Sequence, residues 1–468
     1  MFVRTLHQVA ALTVILSVAT GPLAAEENEP SVAAQLKALS DRVARQEAEL
    51  QQLRAALNER TSDERRSQEV RAAVKQALAD PDLKLRSASS LQAGYKDGFF
   101  IAAEDQSFSL RINVEGQFRY IFDHAEKQPA PNGGDDVSGF QLRRARIAFS
   151  GNAVNPQLTY RVRPTYDCAT GNLRLDDAWA AYEFTPGLRL KGGQFKPYFL
   201  REENVGAFDQ LAAERSYLAD YFTIDFTQGA ELTYDVGQLH LAFAAHDGSY
   251  GANTDYNGDR SVFALSGRAE YVLAGDWKQF RDFTSWPKEP FALMIGAGAD
   301  YEQGQHGPGT NTPNVFRYTA DVSAEFGGAN LFAAIVGQEF TDDANPAVGG
   351  LPANLNGAHQ FGFVAQGGVF VIPDKLEPFA RYEWVNWGGA YYRNNGGAVQ
   401  NASRNLTDDR LSIVTVGANY YFAKHKAKLT VDLVYALDPV PVSNTGGGLV
   451  RSAKEDQLAL RCQFQFRF

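Results

Sequence analysis

After its first twenty residues the chain has no apolar run approaching the roughly 18 to 20 residues that a membrane-crossing helix requires, which excludes a helical membrane bundle. Cysteine is nearly missing: Cys168 and Cys462 are the only two, far too few for a disulfide scaffold. Histidine is scarce, seven in the whole chain, and no His or Cys pair has metal-ligand spacing or sits in a nucleophile motif. No catalytic residue, metal or cofactor is therefore expected. The loop "DGSYGANTDYNGD" from Asp247 to Asp259 is only faintly like a calcium loop, lacks the closing glutamate, and reads as solvated surface. Basic charge is in deficit too. The 45 Lys and Arg stand against 55 Asp and Glu, a net charge of −10, which is the wrong sign for a nucleic-acid partner.

What is present changes character along the chain. Residues 1–25 hold Arg4, an apolar stretch from Val9 to Thr20 and the small pair Ala24-Ala25, which reads as a cleaved secretory signal. Over 31–80 there is neither Gly nor Pro until the segment closes. Val32, Leu36, Leu39, Val43, Leu50, Leu53 and Leu57 recur there at alternating spacings of four and three, with Gln46 filling one apolar position. That seam predicts a coiled coil with partner chains. A linker with a short hairpin is expected over 81–106.

From residue 107 to 468 the period becomes two. In "SFSLRINVEGQFRY" the residues Phe108, Leu110, Ile112, Val114, Phe118 and Tyr120 alternate with Ser109, Arg111, Asn113, Glu115, Gln117 and Arg119. Sixteen such segments follow one another, and long polar spacers alternate with short ones such as "TPG", "IPD" and "AKHK". The exception is Ala274 to Glu289, a long spacer on the short side. An exported chain with this pattern predicts an all-β fold: a 16-stranded antiparallel transmembrane barrel, apolar toward lipid and polar inside, preceded by the α-helical coiled coil. The last strand, "QLALRCQFQFRF", keeps its apolar face up to Phe468, as expected of a strand that closes on the first.

A barrel of this size encloses water, so the lumen-facing side chains matter most. Alternation turns Arg111, Arg119, Arg144, Arg146, Arg161 and Arg163 inward on the first three strands. They form a basic strip suited to anions, unless lumen acids such as Glu115, Asp177 and Glu231 pair with them. The longest loop, Pro197 to Thr227, is rich in aromatic and aliphatic residues and is expected to fold into the bore and narrow it. It carries Arg201, Glu202, Glu203, Phe208, Asp209, Glu214 and Arg215.

Four stretches in sequence, "LRRARIAFSGNA", "LDDAWAAYEF", "LKGGQFKPYF" (with Lys196) and "AAERSYL", resemble the phosphate-selective porin O and P family of outer-membrane channels. The resemblance covers Phe99 to Phe468. It implies a homotrimer in outer-membrane lipid, an infolded third loop and an arginine-lined path for small anions or other small solutes. Phe468 is similar to the carboxy-terminal signal read by the barrel-insertion machinery. Phosphate-selecting members carry an additional arginine on the first strand and a lysine on the inward loop. Here those positions hold Asn113 and Phe208 or Asp209, so phosphate selection is not implied. Arg143 and Arg144 match the family's paired arginines, although alternation turns Arg143 outward. The expected function is passive diffusion through an outer-membrane pore with the coiled coil in the periplasm. The alternative is a structural protein whose coiled coil tethers the barrel to cell wall or partners.

Overall fold

The computed structural model describes residues 45, 47–52 and 91–468, apart from 126–134, 257–260, 305, 308–309, 312, 342–356, 389–393, 396–397, 400–408, 442–443, 445, 451 and 453. The expected signal segment lies outside the described residues. So does the coiled coil, except for residues 45 and 47–52, which are helical and exposed, and no partner helix is described for them. The chain divides into two units between Ala88 and Ser89, and the second is the barrel.

The second unit opens with a hairpin, β1 (Leu91–Tyr95) and β2 (Phe99–Ala103). The wall follows: β3 (Phe108–His124), β4 (Asp136–Ala153), β5 (Asn155–Tyr166), β6 (Leu173–Thr185), β7 (Leu188–Phe195), β8 (Thr227–Val236), β9 (Leu239–His246) and β10 (Ser261–Ala274). It continues as β11 (Ala292–Gly304), β12 (Asn314–Glu325), β13 (Ala329–Thr341), β14 (His359–Val369), β15 (Leu376–Asn386), β16 (Arg410–Tyr421), β17 (Ala427–Ala436) and β18 (Gln457–Arg467). Each wall strand pairs antiparallel with the next, and β18 returns to β3 from Leu458↔His124 to Arg467↔Glu115. Sixteen strands therefore close without an edge. Closure satisfies every lane of backbone donors and acceptors, as a hydrocarbon environment requires.

Alternation sets the two faces. Outward residues such as Phe118, Leu190, Phe243, Ile295, Ile335 and Leu460 are exposed apolar side chains repeated around the whole wall, far beyond what a soluble surface carries. Aromatics gather at the short-turn end, where Phe466 stacks on Phe468 at 6.4 Å and Phe422 packs on Phe464 at 6.1 Å. Such a girdle marks a membrane interface. Phe468 continues the wall beyond β18 through reciprocal backbone bonds with Val114 of 2.9 and 3.1 Å. The hairpin takes over the same lane, with Phe99↔Ile112 to Ala102↔Ser109, and its Phe99 ring meets Phe468 edge-on.

Among the register shifts that interrupt strict alternation, two decide where charged side chains point. Across β3 and β4, Gln117 faces Arg144 and Phe118 faces Leu142, so Arg143 has no partner of its own. Across β5 and β6, Arg163 faces Asp177 and Pro164 faces Leu175, which skips Asp176. An extra residue lets two successive side chains turn to the same face. Arg143 therefore points inward, against the expectation from simple alternation. Leaving either residue facing lipid would cost several kcal/mol, about 2–4 for an arginine at mid-membrane.

Two segments fold into the bore. The loop between β7 and β8 carries α1 (Arg201–Asn204) and α2 (Tyr217–Phe222). Ser216 caps α2 by accepting from the Ala219 N–H at 2.9 Å, and Tyr217, Leu218, Tyr221 and Phe222 bury against Val336, Val385, Trp387 and Ile413 of the wall. The second segment is the long turn between β10 and β11. It rises beneath the loop, with the Phe283 ring 4.8 Å from Phe332 and Trp286 5.0 Å from Tyr421. Ser285 Oγ accepts the N–H groups of Gly327 and Gly328 at 3.1 and 3.3 Å. Both glycines have positive φ, 69° and 118°, which lets a tight turn present two donors to one oxygen.

Candidate functional site

The inward loop is seated on one side of the lumen. Lumen-facing polar side chains there bind its main chain: Asn419 donates to the Leu211 carbonyl (2.8 Å), Lys428 to Gln210 (2.7 Å), Gln463 to Ala213 (3.0 Å) and Gln465 to Phe208 (2.8 Å). Asp432 accepts the Ala213 N–H at 2.9 Å, and Glu383 accepts that of Tyr217 at 2.5 Å. Gln360, Thr415, Asn419, Gln457 and Glu377 retain no solvent exposure. This half of the bore is sealed, and its polar wall exists to satisfy loop backbone groups that burial would otherwise leave without partners.

A charge clamp fixes the loop's far edge. Glu214 receives Arg143 Nε at 2.7 Å and Arg144 Nη2 at 2.6 Å, with Arg119 Nη1 at 3.6 Å. Burial alone would push the Glu214 carboxyl up, but Arg143, Arg144 and Arg119 together hold it well below the usual carboxylate range. Arg119, with no exposed surface, also donates to Gln141 at 2.8 Å and to the Gly446 carbonyl at 2.5 Å.

The other half, along β3 to β7, contains three cavities in series. The central one, about 410 Å³, is lined by Arg146, Arg161, Arg163, Lys191, Lys196, Arg215 and Arg467 against Glu115, Asp177, Glu203 and Asp209, seven basic groups to four acidic. Toward the long loops it shares Arg146, Lys196, Glu203, Arg215 and Phe226 with a cavity of about 580 Å³, which also reaches Arg144 and Arg174. Toward the short turns it shares Glu115, Arg161 and Arg467 with one of about 320 Å³, bounded by Asp97, Lys426 and Phe468. Shared lining residues set the three end to end as a path along this wall.

The basic groups along this path are held by carboxylates. Arg146 reaches Asp176 at 3.0 Å, Arg163 reaches Asp177 at 2.7 Å, and Arg161 approaches Asp177 at 3.4 Å. Lys191 pairs with the fully buried Glu231 at 2.5 Å, and Lys196 with Asp225 at 2.9 Å and with Glu203. The Nε–H groups of Arg146, Arg161 and Arg163 make no hydrogen bond to protein. Lys191 lies over Phe195 at 4.1 Å, and Arg163 and Lys196 share the Phe226 ring at 5.5 and 4.8 Å. Rings and carboxylates fix the cations in place; the cavity lining itself carries the basic majority, and Asp176, Glu231 and Asp225 pair with it from behind.

The expected arginine strip thus divides. Arg146, Arg161, Arg163 and Lys196 line the path, Arg119 and Arg144 clamp the loop, and Arg111 stands exposed at the short-turn rim opposite Phe100, outside the three cavities. Within the loop, Glu203, Phe208, Asp209 and Arg215 border the path, whereas Arg201 is buried against the Phe280 carbonyl and Phe283 ring. Glu202 is buried too, accepting the Ser216 N–H at 2.5 Å and hydroxyl at 2.6 Å. Reasoning from sequence turned Arg143 to the wrong face and missed Asp176, Lys191 and Arg467. A signal for two of them was present: Arg143-Arg144 and Asp176-Asp177 are doubled charges inside strands, and only a bulge keeps both members out of lipid.

Residues 112–468 match the family model for phosphate-selective porin O and P. Among solved structures, the chain is similar to an anion-selective porin from Comamonas acidovorans at 11% identity and TM-score 0.50, covering 77% of this chain and 100% of that one. It also resembles OmpT of Vibrio cholerae (13%, TM-score 0.47, 81% and 100% covered) and OmpF of Salmonella typhi in complex with daunomycin (14%, TM-score 0.48, 80% and 100% covered). At 11% identity the likeness to the Comamonas acidovorans structure speaks to the barrel fold alone. No curated protein matches the chain. The family match, however, runs from the first wall strand to the terminal phenylalanine, over a closed barrel with an inward loop and a water-accessible path, and on that ground the chain belongs to the phosphate-selective porin O and P family and is an outer-membrane porin.

Proposed function

We propose that the path along β3 to β7 passes small hydrophilic solutes by passive diffusion and favours anions. The observation carrying this reading is the balance in the central cavity, seven basic groups to four acidic, in a chain whose net charge is −10. A narrow bore with low-dielectric walls concentrates ions of the opposite sign, and guanidinium forks suit carboxylate or phosphate oxygens. The Comamonas acidovorans structure is itself described as an anion-selective porin.

The reading stops short of phosphate selection. Asn113, at the position of the family's additional arginine, donates to the Asp97 carbonyl at 2.7 Å, and Phe208 is buried with its carbonyl bound by Gln465. The short-turn end faces the periplasm in this reading, with Phe468 available there to the insertion machinery. In the same reading the 31–80 segment is a periplasmic coiled coil, the signal is removed near Ala25, and the barrels assemble as a homotrimer. The tether reading rested on the 31–80 segment, and nothing among the described residues favours it.

The test is the reversal potential of the purified protein in planar bilayers under gradients of potassium chloride and potassium phosphate. Anions should permeate ahead of potassium in both. A preference for potassium would overturn the reading.

A further inference from the structure

The penultimate residue sits where two roles meet. Phe468 and Arg467 are neighbours on opposite faces of one strand: Phe468 is 38% exposed on the apolar face, while Arg467 points into the bore. Arg467 lines both the central cavity and the one at the short-turn end, so every solute crossing between them passes it. Its guanidinium grips Asp209 at the tip of the inward loop by two bonds, Nη1 to Oδ2 at 2.9 Å and Nη2 to Oδ1 at 2.5 Å.

Asp209 is held from two further directions. Its carbonyl accepts the Phe283 N–H at 3.2 Å, which is the contact of the long turn with the loop tip. Its carboxylate occupies space beside Gly206 that a side chain there would fill, since an added Cβ would stand 2.6 Å from Oδ2. Arg467 also faces Glu115 across the β3–β18 ladder, and Glu115 lies 4.0 Å from Arg146. Both members of the pair reach the path, with side-chain exposures of 32% for Arg467 and 17% for Asp209.

We infer that Arg467 and Asp209 form a selectivity-setting pair at the short-turn exit of the constriction, in which the loop carboxylate masks the charge of a wall arginine. The inference rests on the anion-preferring reading above and adds a location to it. Removing either partner exposes the other to the permeating ion. Loss of the arginine leaves a bare carboxylate at the exit, and loss of the carboxylate leaves a bare guanidinium. The two changes therefore shift ion preference in opposite directions, whereas a pair that merely held the loop would shift it the same way from either side.

The experiment is the anion-to-cation permeability ratio from reversal potentials in potassium chloride gradients for wild type, R467Q, D209N and the double variant. R467Q should lower the ratio by about twofold and D209N should raise it by about twofold, the effect of one unit charge near an aqueous path. The double variant should return close to wild type. Shifts of the same sign, or no shift in either single variant, would overturn the inference. Because residue 467 adjoins the terminus, D209N decides alone if R467Q does not assemble into heat-modifiable barrels, and an unchanged ratio in D209N is then the refuting result. These opposite shifts can be read whichever ion the wild type prefers, so this inference and the reading beneath it fail separately.

Discussion

Along β13 to β18 the inward side chains are amides, hydroxyls and tightly paired charges whose partners are the backbone of the folded-in loop. Along β4 to β7 they are guanidinium and ammonium groups whose partners are carboxylates of neighbouring strands and of the loop edge. Both halves obey the same alternation and carry polar residues at the same positions, yet one is sealed and the other keeps open cavities. The difference lies in what satisfies the polar groups. Gln463, Gln465, Asn419 and Lys428 bind main-chain carbonyls that have nowhere else to go, so that side closes around the loop. Arg146, Arg161 and Arg163 share Asp176, Asp177 and Glu115, fewer bonds than their donors can make, so that side keeps water and N–H groups with no protein acceptor.

The sharpest way to break this division is to release the loop. Glu214→Ala leaves Arg119, Arg143 and Arg144 buried without their common counter-charge, a loss of about 3–5 kcal/mol when one partner of a buried cluster is removed. Single-channel conductance should rise several-fold and thermal stability should fall. Unchanged conductance would mean that the clamp does not hold the loop. Trp286→Ala attacks the sealed half from below by deleting a ring packed on Tyr421 and Phe370. It should cost about 3–5 kcal/mol of stability and produce noisy current, with ion preference nearly unchanged because the path lies on the other side.

On the open half the expected changes are smaller and electrostatic. Arg163→Gln should lower the anion-to-cation permeability ratio by about two- to threefold while single-channel conductance changes little. Acid should leave the clamp intact through the ordinary carboxylate range. A carboxyl whose folded-state value is depressed contributes stability that is fully present above its unfolded value, about 4.3 for glutamate, and lost only as pH falls through the lower folded value. Conductance should therefore hold steady from about pH 7 to about pH 5, and loop release in that window would contradict the clamp. The smallest effect belongs to Arg111→Gln, which should leave ion preference unaltered because Arg111 stands at the rim outside the three cavities.

Much of the wall was legible in the amino-acid pattern because a two-residue period and a hydrocarbon exterior leave little freedom. The sixteen expected segments reappear as β3 to β18, and the exceptional spacer from Ala274 to Glu289 falls between β10 and β11. The interior was harder to read, because several inward partners satisfy an arginine equally well and the choice between loop and wall carboxylate depends on three-dimensional approach. Arg119 and Arg163 look alike in sequence. One is sealed against Glu214 and Gly446, while the other faces the path with Asp177. Arg143 was misplaced because alternation assumes an unbroken ladder, and the bulge opposite Gln117 breaks it. The long turn from Ala274 to Glu289 was visible as an exception, but its upward course depends on Phe283 and Trp286 finding Phe332 and Tyr421, contacts between residues far apart in the chain.

The division of the bore is tested most directly by current block with a charged thiol reagent, using single cysteines in a background from which Cys168 and Cys462 have been removed. Arg161→Cys places the thiol on the open half, where the native side chain is 33% exposed, and Gln360→Cys places it on the sealed half, where exposure is 0%. The structure predicts stepwise block of the open channel in the first variant and none in the second. Block at position 360 with equal ease would contradict a path confined to one side of the barrel.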